Sequence, residues 1–281
     1  MKKLLFFVAS ILLSFGIDAQ IKMPAPSPLQ TVSQHFGLGK IELSYSRPSV
    51  KGREVFKEGS ELVPLNNVWR TGANGATTLY FTDEVTINGV NIAPGKYGLL
   101  TIPGSDEWTI IISKDTTVTS PAAYKQANDV VRYNAKVMKL KNKLEMFTIQ
   151  FANIKAESCE LHLMWNKTAV SLPITTNVKD VVRAKTEQAL AAEKVSTGTY
   201  YAAANFYYEY DKNYAKALQC VSKAIDASPK SFWMYMLKAR IEKDAGDKVS
   251  AKKSAEKCIE VATEQKSDDY VRMANKFIKS L

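Results

Sequence analysis

The sequence predicts two domains, an all-β sandwich or barrel-like N-terminal domain and an all-α, tetratricopeptide-like C-terminal domain. Three observations carry this. Short alternating segments separated by turn residues every 8–12 positions fill residues 24–175. Turn pairs then vanish, and Ala, Lys, Glu and Tyr rise after Ile174. A 34-residue spacing of large and small residues finally recurs through residues 201–258.

The chain opens with Lys2 and Lys3, an almost unbroken apolar run from Leu4 to Phe15, and then Gly16-Ile17-Asp18-Ala19. That order is the pattern of a secretory signal peptide over residues 1–19, with cleavage between Ala19 and Gln20. The run is shorter than the roughly 20 residues a membrane-spanning helix needs. No cysteine stands near the cleavage point for lipid attachment, and no later run is long enough to cross a bilayer. The expectation is a soluble periplasmic or secreted protein.

Pro24-Ala25-Pro26-Ser27-Pro28 reads as an extended leader. Ile41 to Arg47 alternates apolar and polar, as a half-buried strand does, and Pro48 ends it. Thr77–Phe81 is the next strand. Val85–Ile87 and Val90–Ile92 flank Asn88-Gly89, the residue pair of a type I′ hairpin. Tyr97–Ile102 and Trp108–Ser113 follow the turns at Pro94-Gly95 and Pro103-Gly104. Ser120-Pro121 predicts a short helix to Asn128. Strands over Val131–Val137, Met146–Ile154, Cys159–Trp165 and Ala169–Ile174 bring the total to about nine.

Within this half, Tyr45 to Phe56 (YSRPSVKGREVF) and Leu62 to Phe81 (LVPLNNVWRTGANGATTLYF) are not ordinary strand. They hold Arg47, Arg53 and Arg70 among Gly52, Gly72 and Gly75. Arg47 shares the parity of Ile41, Leu43 and Tyr45 and so is predicted to face inward. An inward guanidinium has five N–H donors to satisfy. Two solutions stand side by side: a small polar or anionic ligand or glycan, held by Tyr45, Arg47, Arg53, Trp69, Arg70 and Asn74, or the protein's own carbonyls and acids such as Glu54 and Glu58. Trp69 and Tyr97 have faces on which a sugar can stack, yet sandwich aromatics are commonly core.

YSRPSVKGREVF, WRTGANGATTLYF and the later GKYGLLTIPG with Trp108 resemble the bacterial family catalogued as domain of unknown function 2911, over about residues 24–175. The resemblance implies one compact exported domain and assigns no activity or functional residue.

In the second half, Val178–Val195 is predicted to be an amphipathic helix joining the domains, within a helical domain spanning 178–281. With Pro229 closing the first unit, the pattern sites are Tyr201, Ala204, Tyr208, Ala217, Val221 and Ala224. Adding 34 reaches Tyr235, Lys238, Glu242, Ala251, Ala255 and Cys258. The small residues recur in register, because paired helices must approach closely, whereas Lys238 and Glu242 break the pattern. Asp269–Leu281 is read as a capping helix. Repeats of this kind bind peptides or proteins, and an equally simple reading is a helical hairpin packed on the β half. The Tyr200–Tyr214 cluster is too large to be all core, so Tyr201, Tyr207 and Tyr208 are candidate partner contacts.

Chemical motifs are scarce. Gly-rich phosphate loops, G-x-S-x-G, H-E-x-x-H and C-x-x-C are all missing from the sequence, and its two histidines, His35 and His162, fall short of a zinc set. Nothing local marks a serine activated by His35. Glu157 and Glu160 are a candidate carboxylate pair, supporting a hydrolase of envelope glycans or peptides as an alternative, with a structural or assembly protein as a third reading. No catalytic residue, metal or cofactor is assigned. Cys159, Cys220 and Cys258 are too few for a disulfide framework and read as buried thiols, with a Cys220–Cys258 pair as the alternative if their helices bring them together. The net charge of +10 invites a nucleic-acid partner. However, Lys+Arg exceed Asp+Glu 17 to 13 over residues 20–176 and 19 to 14 over 177–281, an even spread rather than one basic face. A nucleic-acid partner is not expected. The basic excess suits solubility or weak attraction to anionic surfaces.

Overall fold

A computed structural model describes residues 23–60, 62–63 and 65–281. The predicted signal peptide lies outside them. No helix among the described residues is long and apolar enough to cross a membrane.

Strands occupy residues 29–175 and helices 178–278. The strands are β1 (Leu29–Phe36), β2 (Gly39–Ser46), β3 (Thr78–Phe81), β4 (Val85–Ile87), β5 (Val90–Ile92), β6 (Gly95–Ile102), β7 (Glu107–Ser113), β8 (Asp129–Lys136), β9 (Met138–Ala152) and β10 (Ser158–Thr175). They form two antiparallel sheets, β1-β2-β3-β6-β7-β8 and β5-β4-β10-β9. The inner faces meet over Leu43, Leu79, Leu99, Ile110, Phe147, Ile149, Leu161, Leu163, Val170 and Leu172, all essentially inaccessible. Alternation alone explains this core: on a strand every second side chain faces the opposite sheet.

β1 was not expected. Its sequence LQTVSQHF carries only three apolar residues, and it forms the edge of the larger sheet, paired along its whole length with β2. An edge strand needs little apolar character of its own. The Asn88-Gly89 turn has φ of 50° and 74°, the left-handed geometry that a type I′ hairpin requires.

The 18-residue stretch β10 doubles back on itself. At the rise of a straight strand, Glu160 and Ser171 would stand roughly 36 Å apart, yet their side chains hydrogen-bond at 2.8 Å. The reversal falls at Asn166, whose φ is 52°. It separates the two segments read from the sequence as Cys159–Trp165 and Ala169–Ile174. β9 follows the reversal round: Met164 pairs with Thr148 on one arm, Ala169 with Met138 on the other.

The helix expected over 120–128 is instead two single 3₁₀ turns, Pro121–Ala123 and Gln126–Asn128. Tyr124 and Lys125 between them are extended. Tyr124 turns inward to cover Leu100, Ile111 and Val118 on the outer face of the larger sheet, and its hydroxyl bonds Asp129 at 2.6 Å. Burial and the adjacent carboxylate push that phenol up to about 12.

The helices are α1 (Val178–Leu190), α2 (Thr197–Glu209), α3 (Tyr214–Ala227), α4 (Phe232–Asp244), α5 (Lys248–Glu264) and α6 (Asp268–Ile278). α1 stops five residues short of the expected Val195. α2–α3 and α4–α5 are the two repeat hairpins. Their second helices start alike: Asn213 accepts from the Lys216 amide, and 34 residues later Asp247 accepts from the Ser250 amide. Ala217, Ala224, Ala251 and Ala255 are fully buried at the helix crossings. The helical part is tetratricopeptide-like in this sense. Cys159, Cys220 and Cys258 are buried free thiols, and burial pushes the Cys159 and Cys258 thiols up to about 12 and about 11.

Candidate interaction sites

The residues grouped as a ligand site divide between core and loop ties. Trp69 is buried, stacked on Trp165 at 6.0 Å and edge-on to Trp108 and Phe147, with its indole N–H donating to the Gly72 carbonyl. Tyr45 is also buried; its hydroxyl donates to Ile149 O or Gln30 Oε1 and accepts from the Ile149 amide. Desolvation raises its phenol above the ordinary range.

Each arginine bonds protein carbonyls. Arg47 spans the two sheets, donating from Nε to Phe147 O (3.0 Å) and from Nη2 to Thr148 Oγ1 (2.8 Å). Arg53 closes its own turn on Val50 O and Ser49 O. Arg70 donates from Nη1 to Thr119 O at 2.5 Å, joining two loops, while its buried Nε has no partner among the described residues. Asn74, in left-handed conformation with φ 59°, donates to Ser27 O and Ser46 Oγ. Arg53 and Arg70 line separate shallow clefts, of about 340 and 220 Å³, that meet at Leu62; Arg47 lines neither.

Glu157 and Glu160 do not converge. Glu157 accepts the Lys179 amide at 2.7 Å, capping α1. Glu160 accepts from His162 Nε2 (2.7 Å), Ser171 Oγ (2.8 Å) and Asn153 Nδ2 (2.9 Å) on the outer face of the smaller sheet. These bonds, His162's foremost, draw its carboxyl down to about 2. The Ser171 proton points at the carboxylate rather than the imidazole, so the trio lacks the serine–imidazole bond of a nucleophile–base pair. Among the described residues no cluster of three or more metal-ligating side chains forms. His35 is exposed on edge strand β1.

Tyr207 and Tyr208 are buried, and Tyr201 is half-buried against the same cluster. α2 is covered on several sides, by α1, α3 and α4, so its aromatics are consumed in packing. Lys216 sits 5.1 Å over the Tyr207 ring and Lys212 5.6 Å over Tyr208.

One accessible apolar surface lies where the strands meet the helices. Gly37-Leu38 forms the β1–β2 hairpin tip. Gly37 has φ 61°, and a Cβ there would stand 2.7 Å from Thr176 Cγ2, so glycine both makes the turn and lets the tip rest on the start of α1. Leu38 is left 52% exposed. It roofs a trough of about 370 Å³ walled by Val182, Thr186 and Ala189 of α1 and by Thr199 and Ala202 of α2, with Lys185 on its rim. A second hollow of about 260 Å³ shares Leu38 and Lys185 and runs toward Asp83, Glu84 and Val181. α1 is held in place by Arg183, which bonds Asp211 at 2.5 Å, and by Lys216 to Glu187 at 3.2 Å, while Asp180 within α1 itself accepts from Arg183 at 2.7 Å. The sequence reading missed this surface; the one signal for it is a hydrophobic residue at a glycine-flanked tip, Gly37-Leu38-Gly39. Nothing local says what that tip meets.

A family model described as protein of unknown function (DUF2911) matches residues 27–174, more than half of the chain and all ten strands up to Ile174. The chain belongs to this family. A second model, described as N-terminal acetyltransferase A, auxiliary subunit, matches residues 137–272. Its portion over 137–174 falls on β9 and β10 of the DUF2911 domain, so the likeness that concerns helices covers α1 to α5 and part of α6. No curated protein matches the chain. A DUF2911 domain followed by tetratricopeptide-like helices has the organisation of a protein-interaction module.

Proposed function

We propose that this DUF2911 protein is a non-catalytic exported binding protein that holds an apolar segment of a protein partner in the trough between α1 and α2. The observation that carries the reading is the exposed Leu38, set over an apolar trough that continues into a second hollow. Helix pairs commonly receive peptides in such grooves. Charge sets the expected direction: an acidic group on the partner opposite Lys185, and a basic one toward Asp83 and Glu84. Peptides selected by display on the wild-type chain are expected to bind Ala202→Glu and Leu38→Asp at least tenfold more weakly, with melting temperatures unchanged. Selected peptides indifferent to both substitutions would overturn the assignment.

A second reading rests on Arg70. Its partnerless Nε beside the cleft formed with Val68, Thr119 and Ser120 suits a small anionic or polar ligand, including an acidic sugar. Here Trp69 lines the cleft beside Arg70, while Arg47, Arg53, Asn74 and Tyr45 lie outside its lining. Titrating glucuronate and inorganic phosphate against wild type and Arg70→Lys by NMR tests it. Shifts confined to residues 68–70 and 119–121 and lost in the variant support this reading; no shift at either ligand removes it.

A further inference from the structure

The basic excess is even between the two halves, but the fold concentrates part of it at one tip of the sandwich. Residues 136–143 read KVMKLKNK, and Lys136, Lys139, Lys141 and Lys143 are all exposed. Because β9 passes round the β10 reversal, Lys139 pairs with Thr168 and Leu144 with Asn166, which places the exposed Lys167 on the same tip. Along β9 the lysines alternate with Met138, 43% exposed, and with the half-buried Leu140 and Leu144. Successive strand residues face opposite ways, so Lys139, Lys141 and Lys143 share one side of the ribbon, and Met138, Leu140, the exposed Asn142 and Leu144 share the other. The nearby acids are few. Glu145 accepts the Lys51 amide and stands 3.8 Å from the Lys143 ammonium, Glu107 pairs with Lys136 across β7 and β8, and the exposed Asp106 accepts the Val137 amide through its backbone carbonyl.

We propose that this tip docks the protein edge-on at the surface of an anionic lipid bilayer, with Lys139, Lys141 and Lys143 on one side of the ribbon, Met138 on the other and Lys167 at the reversal. Clustered lysines are drawn to the negative surface potential of such a membrane, and adjacent apolar side chains enter the headgroup region. The same cations at even spacing over the molecule would be screened within about 8–10 Å at physiological salt. Their gathering is what makes attraction effective. The occupant is a membrane rather than nucleic acid, because residues 136–143 hold no aromatic side chain and so offer bases no stacking platform.

The test is co-sedimentation of the chain from Gln20 to Leu281 with vesicles of pure phosphatidylcholine and of phosphatidylcholine containing 30% phosphatidylglycerol. Wild type should sediment with the anionic vesicles at low salt and not with the neutral ones. Lys139→Gln/Lys141→Gln/Lys143→Gln should partition about a hundredfold more weakly. Lys252→Gln/Lys253→Gln/Lys257→Gln on α5, with the same change in net charge, should behave as wild type. Should the β9 variant fold poorly, amine labelling of wild type with and without vesicles reads the same contact, with Lys139, Lys141 and Lys143 protected and Lys252 and Lys253 not. Failure of wild type to sediment with anionic vesicles, including a protein that binds only a soluble polyanion, overturns the proposal. So do equal losses in the two variants or uniform lysine protection.

Discussion

The Tyr208 hydroxyl donates to the Asp244 carboxylate at 2.7 Å, tying the first helix of one repeat to the first helix of the next. Tyr208 is buried and its phenol is raised above the ordinary range, by desolvation first and by Asp244 second. Tyr208→Phe keeps the ring and loses this bond. It is expected to cost about 1 kcal/mol, measured by urea denaturation followed at the helical signal. Asp244→Asn should cost less, and the double variant should show coupling; strictly additive losses would mean that the bond contributes nothing.

Thirty-four residues after Tyr208 stands Glu242, buried where the repeat calls for an aromatic. Its Oε2 has no partner among the described residues, and Lys238 Nζ is 4.0 Å from Oε1. Desolvation raises its carboxyl above the ordinary value, partly offset by Ser254 and Lys238. A raised folded-state pKa means that the charged form is penalised in the fold. The penalty is complete above the folded-state value and disappears as pH falls below the unfolded value of 4.5. Glu242→Gln should therefore stabilise the helical part at pH 8 by about 1–2 kcal/mol, with the gain vanishing near pH 4. A gain independent of pH would refute this origin.

Glu160 has the opposite sign. Its carboxyl is drawn from 4.5 to about 2 by bonds from His162, Asn153 and Ser171. The stability it contributes is fully present above about pH 4.5 and lost as pH falls toward 2. Glu160→Gln should lower the thermal midpoint at pH 7 and converge on wild type near pH 2. The side chain is 35% exposed, so solvent screening keeps the difference small. Parallel curves across this range would show that the three bonds do not hold the carboxylate.

Arg47 bridges the sheets through Phe147 O and Thr148 Oγ1. Arg47→Met retains the aliphatic stem and loses both bonds, leaving the Phe147 carbonyl short of a donor. A loss of about 1–3 kcal/mol is expected, read as a fall in the urea midpoint of the β domain. A variant as stable as wild type would mean that water replaces the guanidinium there.

Local chemistry made much of the fold legible. Asn88-Gly89 specified its turn because both positions must have positive φ, and Ala217, Ala224, Ala251 and Ala255 announced helix crossings because only small residues fit them. The inward parity of Arg47 was readable from the alternation of Ile41, Leu43 and Tyr45. Its partners were not, since Phe147 lies a hundred residues away. β1 escaped notice because an edge strand borrows its stability from β2. The Tyr200–Tyr214 cluster is not all core, as its size implied, since Tyr210 is exposed; but Tyr207 and Tyr208, the expected partner contacts, are enclosed by the three helices around α2. Leu38 and the lysines of β9 mark the remaining limit. Sequence alone determined that these residues exist; the β1–β2 turn and the part of β9 before Met146 were not read from it. Only the tertiary structure decided that Leu38 roofs a trough on α1 and α2, and that Lys167 joins Lys139 and Lys143 at one tip. Side-chain parity is a property of neighbouring residues, whereas a surface is assembled from segments brought together by long-range packing.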